Sequence, residues 1–209
     1  MAMSGRVKRG TAGLSTKDKS MKTVAVEIRG TSPLLIHRFS EDAEQAKSTR
    51  QMQVNHRDPR EEALKHAYVA PNGTYYINAF SIPGCMGNAG SNHKAKGSRK
   101  SLRFIVPSAV RMTTDTVTIL NGAGAAKSFE VDSRPVTIPA TKGRIMRHRP
   151  RFDQWGLKFD LVINDDLLSL DMAQQLLQEA GQQIGIGDFR PEKRGPFGCF
   201  LVSKWVEQK

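Results

Sequence analysis

Between residues 157 and 184 the apolar pattern of this chain changes period, and that change constrains the fold more than any other feature. Leu157, Phe159, Leu161 and Ile163 alternate with Lys158, Asp160 and Val162, the two-residue period of a strand with one buried face. Leu170, Ala173, Leu176, Leu177, Ala180 and Ile184 then recur at spacings of three and four, the period of a helix that buries one stripe. Gly185 stands where such a helix ends in left-handed backbone. Phe200 and Val202 open a last strand after a glycine-rich loop. This strand, helix, loop, strand succession predicts an α+β domain.

The remainder reads as more strands with insertions. Val24, Val26 and Ile28 alternate over residues 23–29, and Gly30 to Pro33 punctuate the chain before Leu34, Leu35 and Ile36. Acids after Ser40 predict a polar helix over residues 40–53. Asp58 as cap and Pro59 as first residue predict a second helix over residues 59–66. Strands are expected over residues 74–80, 104–112, 117–120 and 136–138, a short helix over 85–93, and a mobile loop over 92–103. Residues 1–21 read as a flexible basic arm. At 209 residues the rest is expected to form one domain, 22–209, with insertions at about 40–70 and 85–150.

The charge is +12, with a pI near 10.0, and its distribution says more than its size. Residues 1–22 carry a net +5, residues 92–111 carry +6 with no acid, and residues 142–151, read as a basic loop, carry +5 with no acid. The rest of the chain must therefore sum to −4. Like charges crowded into short segments repel one another, and a polyanion relieves that repulsion by releasing its counterions on binding. No basic amphipathic helix with a broad apolar face is present, so nucleic acid is favoured over a membrane surface. No apolar run is long enough to cross a bilayer. The opening residues do not read as a secretory leader, so a cytoplasmic protein is expected.

The loop over residues 185–200 holds Gly185, Gly187, Gly195 and Gly198 among Arg190, Lys193 and Arg194. It lacks the GxxxxGK[ST] phosphate loop, and Arg190 replaces the third glycine of a dinucleotide fingerprint. Its glycines allow backbone amides to approach phosphates, and its basic residues add charge-assisted contacts.

A helix, then GxG, several polar residues and GxxGxF running into a strand resembles the signature loop of the RAMP superfamily, the RNA-binding proteins of CRISPR effector complexes. The resemblance covers about the last fifty residues. A fainter echo lies at residues 76–90, where a strand leads into Ile82-Pro83-Gly84 and a small-residue helix. The resemblance implies a ferredoxin-like, RRM-like core with an antiparallel sheet and loop or helix insertions. It also implies RNA contact at Gly187, Arg190, Lys193, Arg194 and Gly195. Phosphate contacts are further expected at Lys94, Lys96, Arg99, Lys100, Arg103, Arg144, Arg147, His148, Arg149 and Arg151, with base stacking at Phe152. Trp155 and Phe152 read equally well as core anchors.

The first reading is thus a single-stranded nucleic-acid binder, RNA favoured over DNA. Its copies would lie side by side along the strand, as a homo-oligomer or as subunits of a nucleoprotein complex. A guide-processing endoribonuclease is the second reading. His37, beside Arg38 at a strand end, stands where metal-independent ribonucleases of the RAMP group can keep a general base. A structural or adaptor protein of a phage or mobile element is the third. No cofactor is indicated, and Cys85, Cys199 and the five histidines show no metal-ligand spacing.

Overall fold

The computed structural model describes residues 20–39, 58–122, 124–137 and 142–208. Most of the basic arm and the helix expected over residues 40–53 lie outside the described residues. Strands β1 (Met21–Gly30) and β2 (Leu34–Leu35) are followed by helix α1 (Pro59–Lys65), strand β3 (Tyr76–Asn78) and helix α2 (Ser81–Ala89). Next come a short helix α3 (Val106–Ala109), strands β4 (Val110–Met112) and β5 (Thr116–Thr118), and a hairpin of β6 (Glu130–Thr137) and β7 (Arg144–Phe152). Strand β8 (Gly156–Asn164), helix α4 (Leu170–Glu179) and strand β9 (Phe200–Gln208) close the chain.

The fold is mixed, with antiparallel sheets and a few helices. The largest sheet runs β4-β8-β1-β9, and β1 pairs antiparallel with both β8 and β9. Val24, Val26 and Ile28 of β1 and Leu157, Phe159, Leu161 and Ile163 of β8 point to one face, as their alternation requires. There they share a core with Ile82 and Met86 of α2 and with Ala173, Leu176 and Leu177 of α4. Leu161 and Ile163 are fully buried, and each contributes about 1.5–3 kcal/mol of burial. The opposite face is polar and charged, with Arg29 and Arg111 exposed on it. Glu27 lies 3.2 Å from Lys158 and 3.6 Å from Lys204, and Gln208 donates to Asp160.

Two smaller sheets, β2-β7-β6 and β3-β5, attach to this unit. The β6–β7 hairpin pairs from Glu130↔Arg151 to Thr137↔Arg144, and β2 joins its base through Leu34↔Phe152 and Leu35↔Arg151. Asp58 caps α1 as expected, accepting from the Arg60 amide at 2.9 Å. Ser169 caps α4, and Asp165 accepts from Leu170.

Three expectations are corrected. Residues 142–151 do not form a loop but belong largely to strand β7. Residues 104–112 are not one strand. Pro107 stands in the first turn of α3, where its missing N–H costs nothing, and only Val110–Met112 extend. Residues 92–103 form a hydrogen-bonded turn closed by the Lys94↔Ser101 bridge, with Gly97 at φ 71°. Buried Leu102 pins that turn, and Ser101 Oγ donates to the Gly90 carbonyl at 2.8 Å.

Candidate nucleic-acid interface

The glycine-rich loop, helix α2 and the segment after β2 enclose a cleft of about 390 Å³. Ile36 and His37 form one wall, Ser81, Gly84, Cys85 and Asn88 of α2 a second, and residues 185–188 with Arg190 a third. The α2 residues recur at helical spacing, so one face of that helix is turned to the cleft. That face carries little side-chain bulk. The two segments that carry the sequence resemblance therefore confront each other across the cleft, with His37 between them.

Most of the glycine loop is tied down by its own backbone. Asp188 N–H donates to Leu35 O at 2.8 Å, Ile186 N–H to Gly198 O at 3.0 Å, and Gly195 N–H to Arg190 O at 3.0 Å. A Cβ at Gly187, which has φ +79°, would lie 2.4 Å from Leu35 O, and one at Gly195 would lie 1.8 Å from Phe189 O. These two glycines are needed for packing whether or not a ligand is present. Of the amides over residues 185–199, those of Gly187, Arg190 and Glu192 have no acceptor among the described residues.

Arg190 is held by the loop itself. Its Nη1 donates to Gly187 O at 3.0 Å and its Nε to Glu192 Oε2 at 2.9 Å. Asn88 of α2 donates to the other Glu192 oxygen at 2.9 Å. Glu192 thus bridges two walls and occupies the arginine expected to meet phosphate. Lys193 and Arg194 stay exposed, with Arg194 in left-handed backbone at φ 61°.

The β6–β7 hairpin reaches the same loop. Arg149, 8% exposed, lies 3.2 Å from Asp188 Oδ2, and its Nε has no hydrogen bond. Arg134 of β6 is paired with Asp132 and stacks over the Phe197 ring at 4.6 Å. Arg151 is paired with Asp153. Arg147 is half-buried, Arg144 is exposed, and neither has an acidic partner among the described residues. His148 shares a hydrogen bond with Ser133 at 2.7 Å. Phe152 presents no face for a base. It is 4% exposed and packs on Tyr75 at 5.5 Å, and Trp155 is likewise buried. Both are core anchors.

The second described cluster sits at the far end of α2. Lys94, Lys96, Arg99, Lys100 and Arg103 are exposed and without an acidic partner among the described residues. Arg103 is fixed in position because its backbone closes over Gly90, the C-cap of α2. His93 is committed to Glu179 of α4 at 2.6 Å. Against a burial penalty, hydrogen bonds from His93 and Gln175 hold the Glu179 carboxyl below its ordinary range.

His37 stacks on His66 with ring centroids 4.3 Å apart and planes at 26°. His66 is buried, and its Nδ1 lies 2.9 Å from Arg38 O. A carbonyl only accepts, so Nδ1 carries the proton. An edge of His37 is open to solvent, yet its walled side is desolvated. That desolvation, then His66, Arg149 and Arg147, push its pKa down to about 4 against the opposing pull of Asp188. Burial pushes the Cys85 thiol up to about 12, leaving it inert. Among the described residues no three His, Cys, Asp or Glu side chains gather as a metal group, and no helix is long and apolar enough to cross a membrane.

Some residues of the interface have no distinguishing pattern in the sequence. His66, Asn88 and Glu192 gain their roles through contacts with residues far along the chain. Phe80, 63% exposed at the head of α2, and Phe104, 72% exposed beside Arg103, are open aromatics within segments that read as strands. An arginine directly followed by phenylalanine inside a basic run was the signal for the second.

The fold is shared with a solved chain of low sequence identity. The chain is similar to one chain of the Type III-B Cmr-beta bound to cognate target RNA, with a TM-score of 0.50 and 13% identity over 92% of its length. It spans 62% of that chain. It is also similar to Cmr6 from Pyrococcus furiosus, with a TM-score of 0.46 and 12% identity, covering 88% of this chain and 99% of the other. No family model matches the sequence, and no curated protein matches it.

Proposed function

We propose that this protein is a RAMP-type subunit that binds single-stranded RNA, in preference to DNA, in the cleft between the glycine loop and α2. One observation carries the reading. The two segments that resemble RAMP proteins face each other across one cleft, cations of β7 flank its loop, and free cations stand at the end of α2. The likeness to a chain of the Type III-B Cmr-beta bound to cognate target RNA supports RNA as the ligand and work within a nucleoprotein complex; that the complex is a CRISPR one, with copies side by side along the strand, is part of the same proposal. The order β4-β8-β1-β9, with α2 and α4 packed on one face, supports a ferredoxin-like core. The open sheet face, with Glu27 clasped by lysines, is unlike the aromatic RNA-reading face of an RRM. The strand is therefore placed on the helix side.

The proposed role is binding. A general base works best with a pKa near the working pH, and His37 lies well below it. Cleavage of labelled RNA by wild type and not by His37→Ala would replace binding with the ribonuclease reading.

Gly84 provides the sharpest test of the site. A Cβ there meets nothing within 4 Å, and the position faces the cleft. Gly84→Leu is expected to keep or raise stability, since leucine favours helix over glycine by up to ~1 kcal/mol. It is also expected to weaken RNA binding by about tenfold or more by filling the cleft, on the scale of ~1.4 kcal/mol per tenfold. Fluorescence anisotropy with a 12-nucleotide RNA reads this, and unchanged affinity in the folded variant rejects the cleft as the site.

A further inference from the structure

We propose that His37 is the platform on which one nucleobase stacks inside the cleft. The inference rests on the RNA-binding reading and specifies how one nucleotide is held there. An imidazole has two faces, and His66 covers one of them at 4.3 Å. His37 is nevertheless exposed and lines the cleft, and no second ring stacks on it among the described residues, so a ligand in the cleft can reach it. A flat base added on the other face extends an existing stack of two rings.

The platform is braced from behind. His66 is buried, its Nδ1–H donates to Arg38 O, and the Arg38 amide donates back to His66 O at 2.9 Å. This reciprocal pair fixes the rear ring relative to the segment that carries His37. Little orientational freedom is then left to lose when a base arrives. Neither nitrogen of His37 hydrogen-bonds among the described residues, so the ring is not committed to another structural contact.

The surroundings suit a nucleotide. Arg147 and Arg149 are close enough for their charges to act on the His37 ring. Arg149 is paired with Asp188, and Arg147, half-buried and without an acidic partner among the described residues, is the cation left for the phosphate of a stacked nucleotide. The ring is uncharged at neutral pH, so it offers a π face and adds no positive charge to that pair. Asn78 and Ser81 also line the cleft. RNA recognition commonly stacks unpaired bases on aromatic rings, histidine included.

The test uses the full chain with a mixed-sequence 12-nucleotide RNA and an abasic 12-mer that keeps the phosphates and lacks the bases. His37→Ala is expected to weaken RNA binding about tenfold, the scale of one base–aromatic stack, and to leave abasic binding unchanged. His37→Phe, which keeps a flat ring without an ionisable group, is expected to restore RNA binding. Position 37 is exposed, so both variants fold, which circular dichroism checks. Equal RNA affinity of wild type and His37→Ala, an equal loss on the abasic strand, or no rescue by phenylalanine each overturns the platform. If wild type still binds RNA with a steep salt dependence in those cases, the RNA-binding reading survives. If wild type binds neither strand, both fall.

Discussion

Four arginines around the glycine loop and the cations of the turn over residues 92–103 have opposite surroundings. Around the loop, Arg149, Arg151, Arg134 and Arg190 each have a carboxylate partner, and Arg149 is buried. In the turn, Lys94, Lys96, Arg99, Lys100 and Arg103 all face solvent without one among the described residues. A paired, buried arginine holds elements together and has little field left for a ligand. An exposed, unpaired one stabilises little and is free to exchange counterions for phosphate. On the proposed reading, the contrast separates a region that would shape the site from a region that would supply affinity.

Removing a shaping charge is expected to have the largest effect. Asp188→Asn keeps the local acceptor for the Phe189 amide but leaves the Arg149 guanidinium buried without its counter-charge. The expected loss is about 2–4 kcal/mol in urea unfolding, below the full value for a buried pair because the carboxylate is half exposed. A loss under ~0.5 kcal/mol would erase the distinction.

The supplying region should behave in the opposite way. Each phosphate contact on a single strand contributes ~0.7 to the salt slope, about fourfold in affinity at 0.15 M. Replacing Lys96, Arg99 and Lys100 together by alanine is expected to cost about 50-fold in RNA affinity and about 2 in slope. Stability should stay within ~0.5 kcal/mol. Unchanged binding would remove this turn from the interface.

A smaller effect tests the boundary between the two regions. Glu192 pairs with Arg190, the arginine expected to meet phosphate. Glu192→Gln is expected to tighten RNA binding by about fourfold and to steepen the slope by ~0.7 as that arginine is released. Weaker binding would mean that Glu192 positions Arg190 for the ligand.

The last expected effect concerns pH. The folded-state pKa of His37 is about 4 against an ordinary 6.5. Between those values the unfolded chain holds more protons, so stability rises with pH through that window and declines as pH falls from 6.5 toward 4. His37→Phe should flatten that part of the urea-midpoint profile, and the ring resonance of wild type should titrate near pH 4. Titration near 6.5 would show that the cleft leaves the ring unperturbed.

What could be read beforehand followed from period and punctuation. Strand β1, the Asp58-Pro59 helix start and the β8, α4, loop, β9 unit have apolar patterns that local sequence specifies. Strand β7 hid because its alternation runs through Arg147, Arg149 and Arg151 against Met146, His148 and Pro150, and neither set reads as apolar. The turn over residues 92–103 looked unanchored because its main anchor is a single leucine, Leu102. In the site, the glycine loop was legible, and the opposing helix gave only a faint echo. The Asn88–Glu192 contact joins residues 104 positions apart, and no local pattern reports such a pairing.

The close packing of the glycine loop also determines how such a protein can diversify. Side chains at Gly187 or Gly195 would strike a neighbouring carbonyl, so those two positions tolerate almost no variation. Across from them, Gly84 has open space before it and Ser81 stands at the head of the helix. The width and polarity of the slot are therefore adjustable from one side, and altered ligand preference should arise through changes in α2 while these two glycines stay constant.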